Sequence, residues 1–269
     1  MIDISKIDYS SYDRWEIARF VFFPRPEWTA YANPNDNDGV MLIPVEENVV
    51  IGSRFHRAAD KAAPTILFFH GNGEIVADYD DIAGLFTEAG IHFFPVEYRG
   101  YGRSTGTPTI TGMMRDAHVI FDYAGRWLKK NGFTGPLIIM GRSLGSASAL
   151  ELAAHYCDAI AGLIIESGFA YSGPLLQLMG VNLSFLGLSE EEGFRNIDKI
   201  AAFGNPTLII HAEYDQIIPF NEGRDLFDRS PAAEKRLLKI PNANHNDIFF
   251  QGMEEYMKAI RWLTGCCCR

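Results

Sequence analysis

Short apolar runs recur from residue 65 onward: TILFF (65–69), IHFFPVEY (91–98), PLIIM (136–140), AGLIIES (161–167), PTLIIHA (206–212) and RLLKI (236–240). Most are apolar throughout rather than alternating, the pattern of strands in a sheet covered on both faces. Helical patterns separate them, from about Asp78 to Ala89, from about Thr111 to Lys130, and from just after Gly145 to about Ala154. This alternation predicts βαβ units and an α/β fold, a mostly parallel sheet with helices on both faces. The first sixty residues read differently. VMLIPV (40–45) and NVVIGSRFHR (48–57) look like strands with no helix between them, which predicts an antiparallel edge.

One stretch breaks the rhythm. No charged residue occurs between Glu166 and Glu190. Gly, Ser, Pro and Asn interrupt it, so it makes a poor membrane span. Residues 169–197 are expected to form an insertion between two sheet strands, either packing into the core or covering a pocket as an apolar lid. The expected organisation is a single domain over 1–269 that contains this insertion, with a mobile tail at 264–269.

The chain has 269 residues, 47% hydrophobic and 22% charged, enough for an extensive core without disulfide staples. Its net charge of −10, without a basic block, makes nucleic acid or an anionic membrane surface an unfavourable partner. The cysteines are Cys157, Cys266, Cys267 and Cys268, with no spaced Cys/His zinc pattern. Asp3 interrupts any signal-peptide start, and no run of eighteen apolar residues exists. The expected compartment is a reducing cytoplasm.

Two pentapeptides share the pattern Gly-X-Ser-X-Gly: GRSTG (102–106) and GRSLG (141–145). A serine nucleophile is presented by a sharp strand-to-helix turn, whose glycines keep side chains out of the close approach between turn, helix and strand. GRSLG fits, because PLIIM leads directly into Gly141 and the helical run SASALELAAHY follows Gly145. GRSTG does not: its strand ends near Tyr98, a glycine-rich loop follows, and Pro108 precedes the next helix. Ser143 is the candidate nucleophile and Ser104 reads as a loop serine.

A serine needs a base, an acid that orients the base, and donors for an oxyanion. In a doubly wound sheet these groups lie at the carboxyl ends of strands. Asp215, just past PTLIIHA, is the candidate acid, and His245, just past RLLKI, is the candidate base. The order Ser143, Asp215, His245 is the order expected of this chemistry on a doubly wound sheet. Glu166 also follows a strand directly and is the rival acid, while Asp215 has the alternative of capping a helix that begins near Asn221. His245 has the alternative of a surface loop histidine. His211 precedes the acid, and His56, His92, His118 and His155 fall within strand or helix patterns, where a packed or exposed role is the default. The oxyanion donors are expected to be the backbone N–H groups of Leu144 and of Asn72, the latter in HGNGE (70–74), where Gly71 and Gly73 allow a sharp turn.

FFHGNGE, VEYRGYGRSTG, IIMGRSLGSASALELA, HAEYDQIIP and NANHND resemble, in order, the sequence blocks of the α/β-hydrolase superfamily, over roughly residues 64–250. More narrowly, the chain is similar to the serine-aminopeptidase-like and depalmitoylase-like α/β-hydrolase-domain proteins. FPRPEW (23–28) is similar to a Phe-Pro-Arg segment near their N-termini. The resemblance implies the α/β-hydrolase fold, Ser143 as nucleophile, Asp215 as acid, His245 as base and Asn72 with Leu144 as the oxyanion pair. It implies a structural role for Arg99, no metal and no organic cofactor. Glu97 stands where the segment usually carries Asp.

The expected function is a serine hydrolase that cleaves carboxylic esters through an acyl-enzyme, with thioesters and amides as further acyl classes. Its expected partner is a partly apolar small-molecule acyl substrate, which the resemblance does not name. A serine peptidase of the same fold and a non-catalytic ligand-binding scaffold are the alternatives. A nucleotide-dependent enzyme is disfavoured. HGNGEIV has Val76, and GYGRST has Thr105, where a dinucleotide fingerprint needs its third glycine, and there is no P-loop.

Overall fold

The computed structural model describes residues 6–27 and 39–268; Trp28 of FPRPEW and Arg269 of the tail lie outside them. Helix α1 (Trp15–Val21) precedes the strands β1 (Val40–Glu46) and β2 (Val49–Arg54). There follow β3 (Thr65–Phe69), α2 (Asp80–Glu88), β4 (His92–Val96), α3 (Ile110–Lys130), β5 (Leu137–Arg142), α4 (Gly145–His155) and β6 (Gly162–Glu166). The insertion contributes α5 (Ser172–Leu178) and α6 (Asn196–Ile200), and β7 (Thr207–Ala212), α7 (Phe220–Arg229), β8 (Lys235–Ile240) and α8 (Ile248–Cys267) complete the chain.

The eight strands form one sheet in the order β1-β2-β4-β3-β5-β6-β7-β8. Strands β3 to β8 are parallel, while β2 runs antiparallel to both β1 and β4. The apolar strands alternate their side chains between two core layers. Leu67, Phe69 and Ile139 pack with α3 and α4 on one face. Ile66, Phe68, Ile138 and Met140 pack with α2 and α8 on the other. This is the mostly parallel sheet covered on both faces that the strand–helix alternation predicts, antiparallel edge included, and it fits the fold that the resemblance implies.

The chain leaves β3 towards β4 on one side and leaves β5 towards β6 on the other. The carboxyl ends of β3 and β5 therefore flank the switch point of the sheet, where open α/β sheets form a ligand crevice. Arg99, just past β4, secures the neighbouring loop. Its guanidinium donates twice to Asp116 of α3 (2.6 and 2.8 Å) and pairs with Glu46 of β1 (2.8 Å).

Between β6 and β7 the uncharged stretch forms α5 and irregular turns. Glu190 closes the start of α5, accepting from Ser172 N–H (2.7 Å), Ser172 Oγ (2.8 Å) and Gly173 N–H (2.6 Å). At the C-terminus the tail expected from residue 264 is instead helix as far as Cys267. Cys267 Sγ lies 3.1 Å from the Ala161 carbonyl, and burial pushes its thiol up to about 12. Among the described residues no helix is long and apolar enough to cross a membrane.

Candidate active site

Only two residues separate the end of β5 at Arg142 from the start of α4 at Gly145, so the chain reverses within Ser143 and Leu144. Ser143 takes φ +50°, the left-handed region that costs a side-chain-bearing residue roughly 1–2 kcal/mol. Hydrogen bonds hold it there: Ser143 N–H donates to the Glu166 carbonyl (2.8 Å), and Ser146 Oγ donates to the Ser143 carbonyl (2.6 Å). The flanking glycines are required by space. A Cβ at Gly141 would run into the Gly145 backbone, and one at Gly145 into the Phe69 carbonyl. Ser104 has a different use. Its Oγ accepts from Gly52 N–H (2.9 Å) and ties the loop after β4 to β2.

The structure brings Ser143, Asp215 and His245 together from the ends of β5, β7 and β8. His245 Nε2 is 3.0 Å from Ser143 Oγ, and His245 Nδ1 is 2.7 Å from Asp215 Oδ2. A carboxylate only accepts, so the neutral ring carries its proton on Nδ1 and presents a lone pair at Nε2 to the hydroxyl. Asp215 Oδ1 accepts from the N–H groups of Ile217 (3.0 Å) and Ile218 (2.8 Å), which fixes the carboxylate plane. Burial works to raise this carboxyl, but the hydrogen bond and charge of His245 and the Ile218 N–H outweigh it and hold it below the usual range. Asp215 therefore does not cap α7, whose N-cap is Pro219. His211 donates from Nε2 to the Ile218 carbonyl (2.8 Å), and burial lowers its pKa, so it packs behind Asp215 as a neutral ring.

Asn72, in the loop after β3, is anchored through Oδ1, which accepts from Phe23 N–H (2.9 Å) and Tyr101 Oη (2.7 Å). Among the described residues neither the Asn72 nor the Leu144 backbone N–H has a hydrogen-bond partner. Both residues line the same small cavity as Ser143, which has a volume of about 30 Å³ and is otherwise walled mainly by Phe169, Leu175, Leu176, Met179, Phe194 and Ile217. Most of that apolar wall comes from the insertion.

Under the site lies a buried ionic cluster that no local sequence pattern marks. Arg142 donates from Nε to Glu74 (2.7 Å), from Nη1 to Glu166 (2.9 Å) and from Nη2 to the His245 carbonyl (3.0 Å). Glu74 in turn accepts from Gly71 N–H (2.6 Å) and Tyr79 Oη (2.5 Å), and Glu166 accepts from Tyr256 Oη (2.5 Å). One guanidinium thus links the Asn72 loop, the Ser143 turn and the His245 loop. Glu166, the rival acid, is committed to Arg142 and Tyr256. Burial works to raise the Glu74 carboxyl, but the Arg142 charge and the Tyr79 hydroxyl bring it down to about 2. Glu97 is explained in the same way. It holds the fully buried His70 (Nε2 to Oε2, 2.9 Å) and accepts from Val76 N–H (2.9 Å). Burial opposes protonation of His70, yet the Glu97 hydrogen bond and charge raise its pKa overall.

A larger cavity of about 320 Å³ opens on the other face of the sheet, between α2 and α8, with Glu74, Arg142 and Glu166 in its wall. It does not reach Ser143, and those charges are already paired. Ser143 and the His245 ring beside it belong to the smaller cavity's side of the sheet instead.

Residues 60–188 match the family model for serine aminopeptidase, S33. The human α/β-hydrolase domain-containing protein 17B is 29% identical over 248 residues, covering 88% of this chain and 78% of the relative. Lysophosphatidylserine lipase ABHD12 of Xenopus tropicalis is 33% identical over 66% of this chain, and the chain spans about half of that protein's length. Two solved structures share the fold at low identity. The Pyrococcus furiosus esterase Pf2001 has TM-score 0.69 and 15% identity, covering 90% of this chain and 98% of that one. A soluble variant of Saccharomyces cerevisiae monoglyceride lipase has TM-score 0.67 and 16% identity, covering 91% and 99%.

Proposed function

With the chain placed in the α/β-hydrolase superfamily by its fold and its relatives, we propose that it is a serine hydrolase that cleaves carboxylic esters through an acyl-enzyme on Ser143. The observation that carries this reading is the continuous relay from Asp215 through His245 to the Ser143 hydroxyl at the floor of an apolar cavity. In this reading His245 Nε2 takes the hydroxyl proton as Oγ attacks the acyl carbon. Asp215 steadies the imidazolium. The carbonyl oxygen, now an oxyanion, accepts from the Asn72 and Leu144 N–H groups, each such donor typically contributing about 3 kcal/mol to lowering the barrier. The tetrahedral intermediate collapses, and His245 returns the proton to the leaving alcohol. Water then repeats the sequence against the acyl-enzyme and frees Ser143.

The cavity supports an apolar acyl group. Among the described residues no charged side chain lines it, and its walls are mainly aliphatic and aromatic. Lipases for lysophosphatidylserine and monoglycerides among the relatives agree with a lipid ester. An aminopeptidase, the activity named by the family model, must receive a substrate ammonium group. Among the described residues no carboxylate lines the cavity, which favours the ester reading over that one. The test is hydrolysis of a chain-length series of p-nitrophenyl esters. Wild-type enzyme is expected to turn over medium-chain esters with kcat at least about 10⁴-fold above Ser143→Ala. Equal rates for the two proteins would overturn the mechanism, and no turnover of any ester by the wild type would favour a binding scaffold.

A further inference from the structure

Away from Ser143, three side chains meet across the seam between α3 and α4. They are His118 from α3, and Glu151 with His155 from α4. Glu151 and His155 are four residues apart and share one face of their helix. Each of the three offers a ligand atom, and these atoms all lie within 4.8 Å of one another. His118 Nε2 is 3.2 Å from Glu151 Oε1. Two atoms bound tetrahedrally to one zinc ion at about 2.0–2.1 Å stand roughly 3.3 Å apart. The His118–Glu151 spacing already meets this, and the His155 ligand atom lies within 4.8 Å of both.

Outer contacts surround all three side chains, as they do in metal sites. The Tyr156 hydroxyl is 3.0 Å from His118 Nδ1, so with Nε2 on a metal the Nδ1–H donates to Tyr156. Glu151 Oε2 accepts from Tyr9 Oη (2.6 Å) and pairs with Lys199 Nζ (2.8 Å), which leaves Oε1 to face the two imidazoles. His155 Nδ1 donates to the Glu151 carbonyl (2.8 Å), leaving a lone pair on Nε2. The carboxylate is buried, while the two imidazole side chains are 27% and 19% exposed and give a path from solvent. The Lys199 ammonium opposes a second cation nearby, so the affinity is expected to be moderate.

We propose that His118, Glu151 and His155 form a binding site for a borderline divalent metal ion, zinc by the ligand chemistry, with water as the fourth ligand. The ion would clamp α3 to α4, the helix that begins at the Ser143 turn. It is independent of the hydrolytic reading, and its test does not use activity.

The test titrates zinc into chelator-stripped full-length protein by calorimetry, with cobalt absorption as the report on ligand type. The expected result is one zinc site that raises Tm, at least tenfold weaker in His118→Ala/His155→Ala. Cobalt should give tetrahedral visible bands without a sulfur-to-metal charge-transfer band. Tyr156→Phe keeps every ligand and should weaken zinc roughly tenfold, which supplies an answer if the double variant fails to fold by circular dichroism. Wild-type protein that binds no zinc, unchanged affinity in either variant, or a thiolate band from Cys266–Cys268 would each overturn the proposal.

Discussion

Ser143 and Ser104 occupy nearly identical pentapeptides and do opposite work in the fold. Ser143 is held at positive φ by the Glu166 carbonyl and faces His245, whereas Ser104 spends its oxygen on Gly52. Replacing Ser104 with Ala should leave kcat unchanged and lower stability by about 1 kcal/mol, read by urea denaturation. Asp215→Asn keeps the shape but loses the acceptor that sets the His245 tautomer, so kcat for ester hydrolysis should fall about 10⁴-fold with little change in KM. A loss below tenfold would mean that Asp215 does not orient the histidine. Ser143, Asp215 and His245 could be picked out as candidates because each lies within five residues of the carboxyl end of a strand. The Arg142 cluster was not, because its partners Glu74, Glu166 and His245 lie 68, 24 and 103 positions away and no local pattern links them.

The strands and the helices α2 to α4 were readable from runs and spacing because a sheet covered on both faces leaves few polar positions to confuse the pattern. Helix α8 was harder at its end. Three thiols before the terminus read as a tail, yet the helix continues because Cys267 packs back against Ala161. The insertion was visible as an uncharged stretch, but its choice between core filler and lid was open. Its helix α5 supplies Leu175 and Leu176 to the cavity over Ser143, while Leu178 and Phe185 stay exposed, Phe185 at 93%. On the proposed reading this element sets the acyl length. Leu175→Trp should depress kcat/KM for medium-chain esters more than tenfold while acetate ester turnover falls less than threefold, about 0.7 kcal/mol or more of discrimination. A uniform loss across the chain-length series would place the acyl chain elsewhere.

Loops from β3, β5, β6 and β8 converge on the Arg142 cluster, so the site and the stability of the whole domain share one set of ion pairs. Glu74 titrates at about 2 in the folded protein against an ordinary 4.5. A carboxyl lowered by folding stabilises fully above its unfolded value and loses that contribution as pH falls through the folded one. The domain should therefore lose up to something on the order of 3 kcal/mol between pH 4.5 and about 2 from this group. Glu74→Gln should be less stable at neutral pH and show a flatter decline over that interval, measured by denaturant unfolding across pH. A variant whose acid profile matches the wild type would remove Glu74 as a contributor.

The most direct test of the central claim is stoichiometric reaction with a fluorophosphonate, followed by peptide mass spectrometry. The proposed mechanism predicts one adduct per chain, on Ser143 of GRSLG, absent in Ser143→Ala and slowed at least a thousandfold in His245→Ala. Labelling that persists in Ser143→Ala, or an adduct mapped to Ser104 of GRSTG, would contradict it.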